Sequence, residues 1–283
     1  MLVKLEKTDF EKYVGQAYEM ALIPEMTSYP VYYDGVKTKE DYRNRAKNAF
    51  FCDHEEILLF YLNGSFSGWI HTFYLPEDRY LDTVSLSARV GMEQMLEEFL
   101  DYVRSRYPDA CIYLGFPEEN RTATGYLRKH GFTIEEQSWN MVLPLSPGAH
   151  AEAASAFTVR IGKENYPLFR RIHSAHEDGM YWTSEKILNR LDDWLIFVFL
   201  RQGQPAAAAY CQRGKLSEIF GVDFDGGNYD PAIHRELLAA TIHASRDDGG
   251  KNLVYFCGDK EKAVAAGIGF STVGKYVLLQ KQP

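Results

Sequence analysis

The order of secondary-structure signals runs through this 283-residue chain twice. A tight-turn glycine recurs at Gly64 and Gly203, 139 residues apart, and a Gly-Phe pair recurs with Phe132 and Phe270, 138 apart. Solenoid repeats have periods of roughly 20–50 residues. A period this long therefore implies two similar domains; the competing reading is one large α+β domain with accidental similarity.

Each pass begins with two helices. Residues 9–21 carry Phe10, Tyr13, Val14, Ala17 and Tyr18 on one stripe. Thr38 with Asp41 three residues on resembles a capping box that opens a helix to about residue 50. Residues 57–62 and 67–75 read as strands joined at Asn63-Gly64, because both residues tolerate positive φ. A third strand over 81–86 precedes a helix over 90–106, whose apolar positions Met92, Met95, Leu96, Phe99, Leu100 and Val103 keep the helical period. Strands over 110–115 and 133–145 close the first pass. The second pass has helices over 165–176 and 184–191, with Ser184 as a cap. Strands over 195–200, 206–212 and 216–224 follow, then a helix started by Asp230-Pro231. Strands over 252–256 and 275–281 finish it. Residues 146–155 are small, polar and unpatterned. The expected division is a domain over 1–145, a linker over 146–156 and a domain over 157–283.

Between the last two strands of the first pass lies Asn-Arg-Thr-Ala-Thr-Gly-Tyr-Leu-Arg-Lys-His-Gly-Phe, residues 120–132. It reads as a short helix opened by Asn120 and closed by Gly131, since Asn caps helix starts and Gly tolerates the left-handed end. Strand, Asn-led helix, Gly-Phe and strand resemble the C-terminal half of the GNAT N-acetyltransferase superfamily. The doubled element order resembles its tandem (double-GNAT) members. The resemblance implies an α+β (α/β sandwich-like) fold: two tandem GNAT-like domains, each a mixed, mostly antiparallel sheet flanked by helices. As a sequence motif it rests on residues 120–132 and, less fully, on 267–270.

The resemblance further implies acetyl-CoA as cofactor and acyl transfer to a primary amine of a small molecule. In the family, backbone N–H groups of the turn before the long helix hold the cofactor's pyrophosphate, as helix starts do for anions in general. The usual pattern is Gln or Arg, two residues, Gly, one residue, then Gly or Ala. Carried over, Leu86, Ser87, Arg89, Val90, Gly91 and Met92 form the cofactor-binding turn, with Asn120 and Ala123 joining it from the short helix. Ala88 stands where Gln or Arg is usual, with Arg89 one place late. Glu93 stands where a small residue is usual. A carboxylate there repels a pyrophosphate, whereas in a helix start without a ligand it is a good dipole partner. In the second pass Ala232 and His234 hold the glycine positions, and Asp223, Asp225 and Asp230 make the turn acidic. The first domain is thus expected to bind the cofactor and the second to be architectural.

Acetyl transfer to an amine needs a base for the ammonium proton and a donor for the oxyanion. The resemblance points to Tyr126 as the acid that protonates the leaving thiolate. The family's Leu-Tyr order is reversed here to Tyr126-Leu127, and neighbouring helical positions point about 100° apart, so an aromatic packed on the sheet is the other reading. Glu77, Asp82 and Glu218 are candidate bases on or near the third strands. Glu218, in Ser-Glu-Ile-Phe-Gly, matches a glutamate common in the family; for each, a solvated strand residue is the plain alternative. Tyr29, Tyr32, Tyr33, Tyr181 and Trp182 lie between the first two helices of each pass and are candidate walls of an acceptor pocket. His173 and His176 share a helix face, but no third ligand is evident in the sequence and no metal is expected.

The net charge of −8 argues against a nucleic-acid partner, which requires a basic footprint. The four cysteines (Cys52, Cys111, Cys211, Cys257) lack metal-ligand spacing and read as reduced thiols, which implies a cytoplasmic location. No signal-peptide pattern opens the sequence, and the longest apolar run, 194–200, is too short to span a bilayer. The expected partner is a small-molecule amine, with neither nucleic acid nor membrane. Two other functions stay open: a non-catalytic tandem module that senses acyl-CoA or serves as a scaffold, and a tandem transferase with another acyl donor.

Overall fold

The structure, a computed structural model, describes residues 1–145 and 156–283. The expected linker falls outside the described residues except for its last position. The chain forms two compact units, residues 1–137 with 274–283 and residues 138–273. This grouping differs from a division at the linker, and the reason is an exchange of strands.

The first unit contains β1 (Leu2–Lys4), α1 (Phe10–Ala21), α2 (Lys39–Asn48), β2 (Glu55–Leu62), β3 (Ser65–Leu75), β4 (Tyr80–Ala88), α3 (Met92–Arg106), β5 (Cys111–Pro117) and α4 (Arg121–Lys129). Its sheet runs β1-β2-β3-β4-β5 and is completed beside β5 by the twelfth strand, β12 (Ser271–Lys281). All neighbours are antiparallel except the parallel pair β4–β5. Asn63 and Gly64 take φ of 50° and 78°, the paired positive values of a two-residue hairpin turn. The Thr38–Asp41 capping box forms as expected at the start of α2. Both faces of the sheet are covered. Leu58, Phe60, Ile70 and Leu81 pack with Met95, Phe99 and Leu127 of α3 and α4. Ile57, Leu59 and Trp69 pack with Phe10, Val14 and Tyr42 of α1 and α2. Alternation along β2 sends odd and even residues to opposite layers.

The second unit repeats the plan with β7 (Thr158–Arg160), α5 (Tyr166–His173), α6 (Ser184–Asn189), β8 (Trp194–Arg201), β9 (Gln204–Gln212), β10 (Leu216–Phe224), α7 (Pro231–Asp247), β11 (Asn252–Cys257) and α8 (Asp259–Gly267). Its sheet runs β7-β8-β9-β10-β11 and ends on β6 (Thr133–Pro144). Residues 139–144 of β6 pair with β11, and residues 276–281 of β12 pair with β5. Each half of the sequence thus gives its last strand to the other unit.

Two local expectations change, and one helix was not expected. The helix over 165–176 ends at His173, where the Ser174 hydroxyl bonds back to the Arg170 carbonyl at 2.6 Å. Thr183 caps α6, because the Ser184 hydroxyl is already given to Glu177 at 2.6 Å. Helix α8 carried no recognisable stripe, since only Val264 and Ala265 are buried in it. Among the described residues no helix is long and apolar enough to cross a membrane.

Candidate functional site

Strands β4 and β5 pair only at Tyr80–Cys111 and Leu81–Ile112. Beyond that point they part, and Val84 sits at a break in the β3–β4 register. The edges so exposed are met by residues 27–29. The Ser28 N–H donates to the Leu86 carbonyl and the Tyr29 N–H to the Gly115 carbonyl, each at 2.8 Å. The Leu86 N–H donates to the Ser28 hydroxyl at 2.8 Å, and Thr27 bridges Ser87. Asn120 is fully buried and works at both ends. Its Oδ1 accepts the Ala123 N–H at 3.1 Å to cap α4, and its Nδ2 donates to the Thr27 carbonyl at 2.9 Å. This segment satisfies the backbone groups that the diverging strands would otherwise leave unpaired. It brings Leu86, Ser87, Asn120 and Ala123 together. Nothing in the irregular sequence of residues 27–29 announces the role.

The turn after β4 places Gly91 at φ 72° as the N-cap of α3, with no side chain capping the helix. The first N–H groups of α3 therefore have neither an intrahelical acceptor nor a side-chain cap. A Cβ on Gly91 would lie 3.1 Å from Leu62 and 3.3 Å from Phe60. Val90 is 54% exposed, Met92 is buried in the core, and Arg89 is exposed with its N–H bonded to the Ser67 carbonyl at 2.8 Å. This donor set fits a pyrophosphate, with the exposed Glu93 as an opposing charge. The matching start of α7 in the second unit is already filled. Asp230 accepts the N–H groups of Ala232 and Ile233 at 3.0 and 3.4 Å and pairs with Arg201 at 2.8 Å. Beneath it, His234 is buried between the hydroxyls of Tyr229 and Tyr255, and burial pushes its pKa down to about 4.

Asp82 follows the last parallel pair of β4. It projects to the face opposite Leu81, towards the α1–α2 layer. It accepts the Thr83 N–H at 2.6 Å and the Tyr80 hydroxyl at 3.0 Å. Burial pushes its pKa up to about 7, against the pull of those two donors. Around it, Tyr80 stacks on Tyr113 at 4.7 Å and Tyr29 meets Tyr276 edge-on at 5.2 Å. The Tyr276 ring covers Gly115 so closely that a Cβ there would lie 2.6 Å from ring atoms.

The other candidates lie on other elements. Tyr126 stacks on His130 at 3.9 Å and lines a cavity of about 300 Å³ with Leu100, Tyr107 and Ile112. Burial against α3 raises its pKa, with Glu97, Asp101 and Glu93 adding to the effect. Glu77 is exposed in the β3–β4 turn. Glu218 belongs to the second unit, in the stretch where β10 still pairs with β11, opposite Gln212 and Val254. Tyr32 packs in the α1–α2 core against Tyr42 at 5.0 Å, and Trp182 packs on Trp194 at 5.1 Å. Tyr33 is half-buried. His173 bonds Asp223 at 2.7 Å and the Trp182 carbonyl at 2.9 Å, while His176 bonds the Phe224 carbonyl at 3.0 Å.

The sequence matches no protein-family model, and no curated protein is significantly similar to it. Its likeness to solved structures is one of fold. A GCN5-related N-acetyltransferase from Sphaerobacter thermophilus is 12% identical, with a TM-score of 0.64 over all of this chain and 95% of its own. A tandem GNAT protein from the clavulanic acid biosynthesis pathway is 12% identical, with a TM-score of 0.57 over all of this chain and 98% of its own. A glucosamine N-acetyltransferase region of a fungal multi-domain beta-N-acetylglucosaminidase is 11% identical, with a TM-score of 0.63. There the match takes 99% of this chain but only 38% of that one. The fold is that of tandem GNAT proteins.

Proposed function

We propose that the first unit carries an N-acetyltransferase site that uses acetyl-CoA and a small-molecule primary amine. The observation that carries this reading is the uncapped start of α3, three residues beyond the point where β4 leaves the sheet, set against the self-filled start of α7. In this reading the N–H groups at the start of α3 hold the diphosphate, and Arg89 and Val90 flank it. Leu86, Ser87, Asn120 and Ala123, all buried, fix the segment 27–29 beside it, and Met92 anchors the start of α3 in the core. When bound, acetyl-CoA supplies an acyl carbon activated as a thioester. Asp82, with a pKa near neutrality, takes the proton from the amine. Tyr126 stacks on His130 and stands within electrostatic reach of Glu93 at the start of α3, and Glu218 belongs to the second unit; neither is assigned a step in this reading.

A second reading, a non-catalytic acyl-CoA sensor or scaffold, is favoured by one observation: residues 27–29 already hold the parted edges at Leu86 and Gly115. Thermal denaturation with millimolar acetyl-CoA and thiol release with a panel of amines separate the two. Stabilisation with thiol release is expected; stabilisation alone supports the sensor; the absence of both overturns the transferase. A Glu93→Ala variant should bind acetyl-CoA roughly two- to fivefold more tightly, because it removes the opposing charge from the helix start. Weaker binding would mean that the diphosphate does not sit there.

A further inference from the structure

We infer that Asp82, with the tyrosine rings around it, selects a primary ammonium carried on a flat aromatic body. This deepens the transferase reading, on which it rests for the fate of the amine but not for its binding. Asp82 is half-buried, so it is reachable, yet among the described residues it makes no ion pair. Its two hydrogen bonds come from neutral groups, the Thr83 amide and the Tyr80 hydroxyl. A carboxylate held away from water with no counter-charge attracts a cation that can enter. The lone pairs left over are acceptors for an ammonium group.

The walls say what else the cation should carry. Tyr80 is flanked by Tyr113 at 4.7 Å and by Phe73 at 6.0 Å, and Tyr276 meets Tyr29 at 5.2 Å. Tyr276 also faces Asp82 electrostatically. Ring faces draw in cations and pack edge-on or offset against other rings. The Lys37 ammonium already lies over Tyr29 and Tyr32, at 5.7 and 5.4 Å. A sugar amine, which needs many paired donors and acceptors, finds mostly aromatic surface here.

The test is calorimetric titration of the full chain at pH 8 without cofactor, using three probes of matched size. 2-Phenylethylamine should bind. 2-Phenylethanol, which lacks the charge, and glucosamine, which lacks the ring, should bind about tenfold more weakly or worse. Asp82→Asn should lose about tenfold for the amine and nothing for the alcohol. Tyr276→Leu, checked for folding by circular dichroism, should lose several-fold for both ring compounds. Equal binding of all three probes, no binding of 2-phenylethylamine at millimolar concentration, or an unchanged Asp82→Asn affinity would overturn the inference. Acetyl transfer to glucosamine without 2-phenylethylamine binding would leave the transferase reading intact and remove this one. Binding of 2-phenylethylamine with no acetylation of any amine would do the reverse.

Discussion

Replacing Asp82 with asparagine is expected to stabilise the protein at pH 8 and to abolish proton transfer from an amine. The sign follows from the raised pKa. The folded carboxyl titrates at about 7, against an ordinary value of 3.8. Between those values the folded state keeps a proton that the unfolded state has lost, so this group's contribution to stability falls as pH rises. The penalty is complete above pH 7 and absent below pH 4. A rise of that size would amount to about 4 kcal/mol for a fully enclosed group. Solvent reaches Asp82, so roughly 1–3 kcal/mol is the expected gain. Urea denaturation of both proteins at pH 5 and pH 8 checks it: the asparagine variant should gain more at pH 8. An equal difference at the two pH values would show that Asp82 is comfortable where it is. A residue whose removal strengthens the fold and silences the chemistry is what a site kept at the expense of stability should contain.

Asn120→Ala should be the most damaging single change around residues 27–29. It removes the cap of α4, a loss of about 1 kcal/mol in typical helices. It also strips the buried Thr27 carbonyl of its donor, which costs roughly 1–3 kcal/mol more. A total near 3 kcal/mol is expected, read as a lower urea midpoint. Hydrogen exchange gives the local signature: the Ser28, Tyr29 and Leu86 amides should exchange faster, while amides of β8 and β9 should not. Asn120→Asp keeps the cap but turns a carboxylate oxygen onto the Thr27 carbonyl in a fully buried position, and at neutral pH should be at least as destabilised as the alanine variant. A loss under about 1 kcal/mol for the alanine variant would mean that residues 27–29 are held by something else.

The parts of this molecule that could be read from sequence are those with a local cause. Asn63-Gly64 needs two positive φ values, Thr38 and Asp41 satisfy each other across one turn, and α3 repeats its apolar residues every three or four positions. What escaped was set by partners distant in the chain. Alternation along residues 133–145 tells which side chains face inward but not which strand lies alongside, so the exchange of β6 and β12 left no trace. Residues 27–29 have no period because they bond to two different strands and to Asn120. Asp82 stood out as a carboxyl on a third strand, but its surroundings come from Tyr29, Tyr113 and Tyr276, which no spacing connects. The helix of Tyr126 was legible; the direction of its ring, towards α3 and His130, depends on packing.

The crossing of strands also sets a timetable. Residues 274–283 leave the ribosome after the whole of the second unit, yet they bring the strand that covers β5 and the ring of Tyr276 beside Asp82. Until they arrive, the first unit has an open edge and an unfinished wall, a state prone to wrong pairing. A half-made chain therefore lacks one of the rings beside Asp82. Under the proposed reading, competence is granted only to molecules translated past Tyr276.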